Sequence, residues 1–284
     1  MARTDSSVLP ERPWSLKKVQ PLPPVAIQLM RLVSSDECSF GRLSTLIRTD
    51  PAFAAEVLRI ANSPLFGFRG EIGNVARALL MIGLDRLKSL VVTVALRNFL
   101  STTLQDSSLR RCWRHSLACA AACEELAAAA GMEKDVVYTA GLLHDVGRLG
   151  LLASYPAEYS RILDVNAECG LDVLQSERDI FDLDHCQAGA WLVKEWALPE
   201  ELEAITGRHH EEPAAEGFDS LKVVQFGCRI ADCLGFGIVE HKGISFAEIR
   251  EKLPLSISTK LGQEDRFVQR IGEKTTRLER DMLL

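Results

Sequence analysis

The run Gly141–Leu152, GLLHDVGRLGLL, sets an imidazole and a carboxylate side by side in a segment otherwise fit for a hydrophobic core. Leu142 and Leu143 precede the pair His144-Asp145, and Val146, Leu149, Leu151 and Leu152 follow it. Burying either polar group is costly unless it is hydrogen-bonded, ion-paired or coordinated. A fold that accepts this run must bring partners to His144 and Asp145 from elsewhere in the chain. Two arrangements meet that demand: a hydrogen-bonded polar pair in the core, or two ligands of a metal centre whose remaining ligands are remote in sequence.

The rest of the chain reads as helices separated by turn and cap signals. After a polar, proline-studded lead-in, apolar residues recur at helical spacing from Val25 to Val33. Ser39 is placed to cap Phe40–Arg48, and Asp50-Pro51 is a capping residue followed by proline at a first helical position. Ser63–Asn74 is a glycine- and proline-bearing turn region, followed by helices Val75–Ile82 and Leu84–Phe99 that break at Gly83. Further helices are expected over Leu109–Ala130, Asp135–Leu143, Ala157–Cys169, Leu171–Ile180, His185–Trp196, Pro199–His210 and Leu221–Leu234. A loop at Pro213–Asp219 and a charged amphipathic tail, Glu264–Leu284, complete the pattern. No segment sustains period-two alternation, so the expected fold class is all-α. The polar run within Ser101–Ser108 marks a boundary between two helical sets.

Composition narrows the function classes. The 284 residues are 47% hydrophobic and 25% charged, with a net charge of −6. That balance lacks the basic footprint of a nucleic-acid binder. Arg77, Arg86 and Lys88 are the only local motive for such a surface, and they fit a solvated helix face equally well. No stretch is apolar enough to span a bilayer, and the first residues lack the apolar core of a secretory signal, so a cytoplasmic location without membrane contact is expected. Eight cysteines in a chain this long are no disulfide framework and form no zinc-ribbon pattern. His115, Cys119 and Cys123 share a helical face, but in an alanine-rich run that suggests close helix packing.

The other histidines make a shared centre plausible. His115 lies on a long helix, His185 opens one, and His209-His210 end another; Asp232 sits near the end of the helix from Leu221. Imidazoles suit first-row ions such as Fe, Co, Ni or Zn, and carboxylates extend the range to Mn and Mg. A carboxylate can bridge two ions, and a two-metal centre activates water against phosphate. Helical bundles build such sites from facing helices. Gly189 is placed to let helices approach closely nearby, and Trp191 and Trp196 read as core. His241, in a polar stretch, reads as a surface residue.

His115, then His144-Asp145, then Asp232 resemble the H…HD…D signature of the HD superfamily of metal-dependent phosphohydrolases. GLLHDVGRLGLL, HCQAGAWL and His209-His210 also resemble their counterparts in the HD-GYP group. LPPVAIQLMRLV, DPAFAAEVLRIANSPLFG and ARALLMIGLDRLKSLV resemble the HDOD domain, an HD-related signalling module of bacteria, and the likeness runs from Val19 to His210. It implies a multi-helix bundle: a lead-in over residues 1–18, an N-terminal helical subdomain over 19–105, an HD-like subdomain over 106–240 and a helical extension over 241–284. It implies His115, His144, Asp145, His185, His209, His210 and Asp232 as ligands of one or two divalent ions, with Asp145, Arg148 and His210 nearest any chemistry.

HDOD domains are usually regulatory and many have lost these ligands, whereas this chain keeps a candidate at each position. Its departures lie elsewhere. Arg148 stands where HD-GYP members carry lysine, Arg111 where some carry a metal-binding glutamate, and EPAAEGFDS follows Glu211 in place of the GYP motif. These argue against a third metal and cyclic-di-GMP hydrolysis. Arg148 suits either a phosphate or a local carboxylate. The expected role is signal transduction through a protein partner or a phosphorylated small molecule or nucleotide, with metal-dependent phosphohydrolysis as the alternative.

Overall fold

The computed structural model describes residues 11–35, 37–63, 66–68, 72–100, 106–214, 217–238 and 245–283. These residues are helical, with no strand among them. A first set comprises α1 (Pro24–Val33), α2 (Phe40–Arg48), α3 (Pro51–Ala61), α4 (Val75–Ile82) and α5 (Leu84–Leu100). A second set comprises α6 (Ser107–Ala130), α7 (Lys134–Leu143), α8 (Val146–Ser154), α9 (Pro156–Cys169), α10 (Val173–Phe181), α11 (His185–Glu195), α12 (Glu200–Arg208) and α13 (Ser220–Ala231). A π-type turn, Asp232–Phe236, follows α13. The helices α14 (Phe246–Lys252), α15 (Leu255–Ser258) and α16 (Glu264–Leu283) come last. His241, most of the Ser101–Ser108 boundary and parts of the Ser63–Asn74 turn and the Pro213–Asp219 loop lie outside the described residues; Ser107 and Ser108 belong to α6.

The caps explain why the helices begin where they do. Asp50 accepts hydrogen bonds from the backbone N–H groups of Ala52 and Phe53, at 2.9 and 3.0 Å, with Pro51 at the first helical position. Ser39 caps α2, and Asp184 and Gln187 form a reciprocal capping box on α11. Gly83, at φ 85°, separates α4 from α5.

The centre of the second set is α6, buried along most of its length from Ser108 to Ala129. Its alanines let α7 and α13 pack closely against it. Cys119 and Cys123 point into the α6–α13 contact, where their sulfurs lie 4.0 Å and 3.6 Å from the carbonyls of Val224 and Val223. They serve packing there. The first set joins the second through α1, α5 and α7. Arg31 on α1 donates two hydrogen bonds to the carbonyl of Trp196, which is itself in the core against Phe99.

Two sequence expectations need correction. The lead-in is irregular, apart from a 3₁₀ turn at Trp14–Leu16, but its residues from Trp14 onward dock on the bundle. Leu16, Val19 and Leu22 are buried, and the Trp14 indole N–H donates to Asp182 at 2.6 Å. Apolar side chains between prolines can enter a core without regular backbone. The helix expected to run through Leu234 ends instead at Ala231, because the chain widens into the π-type turn and then breaks at Gly235, φ 83°.

The packing of α8 on α11 depends on a residue without a side chain. A Cβ at Gly147 would lie 2.1 Å from the carbonyl oxygen of His185 and 2.3 Å from the amide nitrogen of Gly189. Gly189 contributes from the other side, facing Thr206 and Gly147. Gly147→Ala is therefore expected to force the two backbones apart, costing about 3 kcal/mol or more. Thermal denaturation checks this: the melting point should fall by about 6 °C or more. Gly41→Ala, where nothing lies within 4 Å of the added carbon, should leave it level or slightly higher.

Candidate functional site

The close α8–α11 contact places the HD pair in the middle of the bundle. His144 ends α7 and Asp145 begins α8, so the two occupy the link between helices. His115 projects from α6, His185 from the first position of α11, and His209 from the end of α12. His115, His144, Asp145, His185 and His209 are each 2% exposed or less.

Each buried imidazole has one nitrogen engaged outward, which leaves the other free to point in. His144 Nδ1 lies 2.7 Å from the Gly141 carbonyl and His209 Nδ1 lies 2.9 Å from the Thr206 carbonyl. His185 Nδ1 lies 2.6 Å from Glu177 Oε2. His115 Nδ1 lies 3.2 Å from the Phe236 carbonyl and 3.4 Å from Asp232. Oxygens of this kind accept an Nδ1 proton, which favours the tautomer that turns an Nε2 lone pair inward. Engaged outer nitrogens of this sort are the usual support of metal-ligating histidines.

The inward atoms form overlapping groups. His115, His144 and Cys228 make one; His144, Asp145 and His209 make another; His185, Cys186, His209 and His210 make a third. The ligand atoms in each lie within 4.8 Å of one another. His115 Nε2 and His144 Nε2 are 3.3 Å apart. Asp145 Oδ1 faces His185 Nε2 at 3.3 Å and His209 Nε2 at 3.4 Å. Neither Asp145 Oδ1 nor His209 Nε2 makes a hydrogen bond, although both are buried. Buried acceptors facing each other with no donor between them are what a bound cation would satisfy. The donor set fits a divalent ion.

Electrostatics keep these donors ready. Burial pushes the His144 imidazole well below the usual histidine range, and His209 and His115 reinforce it against the pull of Asp145. Burial and then Arg148 push His185 down as well. Burial opposes ionisation of Asp145, but Arg148 first, then His144 and His209, hold its carboxyl well below the usual carboxylate range. Glu177 is held down by His185 and Arg148 against the same burial penalty. Beside the imidazoles that burial holds neutral, His144 and His185, the cluster carries two carboxylates and one guanidinium.

Arg148 takes a specific seat. Its Nε donates to Asp145 Oδ2 at 3.1 Å and its NH2 group to His185 Nε2 at 2.9 Å, while NH1 lies 3.9 Å from Glu177. It is 3% exposed. Of the two roles open from sequence, the local carboxylate partner is the one the geometry realises. His210 is an exposed residue whose Nε2 still reaches His185 Nε2, at 3.0 Å.

Asp232 is the sequence candidate that the structure does not bring into any of these groups. It meets the Nδ1 corner of His115, opposite the Nε2 that faces His144, and its side chain is 47% exposed. Asp232 keeps α-helical geometry, its N–H bonded to the Cys228 carbonyl, so the two stand one turn apart on one face, Cys228 at 3.5 Å from His115 Nε2 and Asp232 at its Nδ1. Glu177 and Cys228 escaped the sequence reading. Glu177 orients His185 and receives the Tyr159 hydroxyl hydrogen bond. Its signal was present: Val173, Glu177 and Phe181 repeat every fourth position along α10, so a carboxylate interrupts the buried stripe.

An all-helical domain with inward-facing histidines around a buried HD pair defines the class. The chain belongs to the HDOD domain family, whose model matches residues 19–212. Among solved structures it is similar to an HDOD domain protein of unknown function from Geobacter sulfurreducens, at 24% identity and TM-score 0.76, covering 94% of this chain and 95% of that one. It is also similar to a candidate phosphohydrolase from Shewanella amazonensis SB2B, at 20% identity and TM-score 0.71, covering 94% and 96%. An uncharacterised protein of Treponema pallidum is 25% identical over 196 residues, 68% of this chain; the match spans only 38% of that relative's length. No helix among the described residues is long and apolar enough to cross a membrane.

Glu177 is both the orienting partner of His185 and a counter-charge for Arg148. Glu177→Gln is expected to destabilise the protein by about 3 kcal/mol, the cost of breaking one side of a buried ion pair. Glu195→Gln, which breaks a partly exposed pair with Arg12, should cost no more than about 1 kcal/mol. Denaturant titration of both variants gives the comparison.

Proposed function

We propose that this chain is a signal-transduction protein of the HDOD type. Its retained HD centre holds one divalent ion as part of the shape it presents, and it acts by binding a protein partner or a phosphorylated small molecule. The two helical sets are then the N-terminal and HD-like subdomains of an HDOD module. His144 belongs to two candidate ligand groups, with Asp145 and His209 and with His115 and Cys228, and is the residue best placed to hold the ion. When bound, such an ion supplies a Lewis acid able to polarise water or a phosphate oxygen.

The observation that carries this reading is the seat of Arg148. The second half of a two-ion clamp needs lone pairs from Asp145 and His185. Arg148 already donates to both, so a fixed guanidinium holds the place of a second cation. A second divalent ion would crowd further positive charge against a buried guanidinium, at a steep cost where the dielectric is low. The two triads that share His144 also compete for one ion, because a single Nε2 lone pair binds one metal. The name of the Shewanella relative favours hydrolysis, but at 20% identity that likeness extends to the fold alone.

Elemental analysis of the purified protein tests the reading. The wild type is expected to hold one divalent ion per chain and His144→Ala none. p-Nitrophenyl phosphate and bis(p-nitrophenyl) phosphate should turn over no faster with the wild type than with Asp145→Ala. Two ions per chain, with hydrolysis abolished in Asp145→Ala, would establish a two-metal phosphohydrolase instead.

A further inference from the structure

His115, His144 and Cys228 form one of the two buried ligand groups that share His144. The two imidazoles present bare Nε2 atoms to each other at 3.3 Å, since both Nδ1 atoms face oxygen acceptors. A thiol can donate its one proton to only one of them, and Cys228 Sγ is 3.5 Å from His115 Nε2. Left alone, the arrangement sets two lone pairs against each other in a site where His115 is 2%, His144 0% and Cys228 6% exposed.

We infer that Cys228 is a thiolate ligand of the centre, completing a His115–His144–Cys228 site selective for a thiophilic ion of the zinc class. The inference rests on the single-ion reading above and names the metal class for it. Distances argue for it first. Tetrahedral zinc, with Zn–N of about 2.0–2.1 Å and Zn–S of about 2.3 Å, has N···N edges of about 3.4 Å and N···S edges of about 3.6 Å. The observed separations are 3.3 Å and 3.5 Å. Two edges of the triad thus match such a polyhedron, and the third, His144 Nε2 to Cys228 Sγ, lies within 4.8 Å.

The backbone explains why the sulfur takes this position. Cys228 lies on α13, and Asp232, one helical turn later with its N–H on the Cys228 carbonyl, meets the Nδ1 side of the same His115 ring. The carboxylate then orients His115 from outside, as carboxylates commonly support metal-bound histidines. Asp145 Oδ2 lies 3.8 Å from His144 Nε2. Two imidazoles and a thiolate disfavour Mg and Mn, which prefer oxygen donors, and favour Zn, with Fe and Co next. Ligation exchanges the S–H bond for a metal–sulfur bond, and the thiol proton leaves to solvent.

Neighbouring thiols do not substitute for Cys228. Cys119 and Cys123 are 3.9 Å from each other and directed at the carbonyls of α13. They serve as internal controls.

The test uses the full chain, stripped with chelator and loaded with one equivalent of Zn(II) or Co(II). X-ray absorption at the zinc edge should show one sulfur at about 2.3 Å among nitrogen and oxygen neighbours. The cobalt protein should show a sulfur-to-cobalt charge-transfer band in the near ultraviolet. In Cys228→Ser the sulfur signal and the band should vanish and affinity should fall at least about tenfold; in Cys119→Ala and Cys123→Ala both should persist. The zinc-edge spectrum of the wild type decides the matter even if Cys228→Ser fails to fold. Bound zinc that is lost in His144→Ala but has only nitrogen and oxygen neighbours overturns the thiolate ligand and leaves the single-ion centre standing. Failure of the wild type to bind either ion overturns both.

Discussion

The structure depends on how the bundle accommodates the ionised carboxylate of Asp145, 1% exposed at its centre. An isolated charge at that depth would oppose folding strongly. The neighbourhood answers with one fixed cation, Arg148, and a ring of imidazoles. Arg148 in turn needs Glu177, and Glu177 is held by Tyr159 and His185. The result is a connected polar network inside an otherwise apolar interior. Such networks stabilise only when nearly every member is satisfied. Here the unsatisfied members are concentrated at one place, on Asp145 Oδ1 and His209 Nε2. That concentration distinguishes a ligand site from an ordinary buried ion pair.

The network exists because the helices approach closely. Gly147, the second residue of α8, lets the first turn of α11 lie against it. That first turn carries His185, locked by the Asp184–Gln187 capping box. One backbone contact thus brings Arg148, His185 and Asp145 within hydrogen-bonding range. On the other side, small residues along α6 let α7 and α13 close in, which brings His115, His144 and Cys228 together. Arg148, on the first turn of α8, is seated between Asp145 and His185.

Much of this was legible in the chain itself. Helix starts at Ser39, Asp50 and Asp184 follow from capping chemistry, which is local and acts within a few residues. The buried status of His144 and Asp145 follows from the leucines around them. Family membership followed from several ordered motifs, each weak alone. Less legible were Glu177, visible only as a carboxylate on a buried helical stripe, and Cys228, one of eight cysteines with no distinguishing spacing. Asp232, which the motif set among the metal candidates, stands at the Nδ1 corner of His115, a placement that depends on the packing of α13 against α6.

The amino-acid sequence by itself determined the helical class, the helix boundaries with their caps, and the histidines and acids that had to be sheltered in the interior. Periodicity, capping and hydrophobicity are properties of short windows, so short windows reveal them. Tertiary structure alone decided which nitrogen of each imidazole faces inward, that Arg148 turns to Asp145 and His185, and that a sulfur rather than the Asp232 carboxylate meets His115 Nε2. Those outcomes are set by helix rotation and by approach distances of a few tenths of an ångström, between groups separated by as many as 113 positions along the chain.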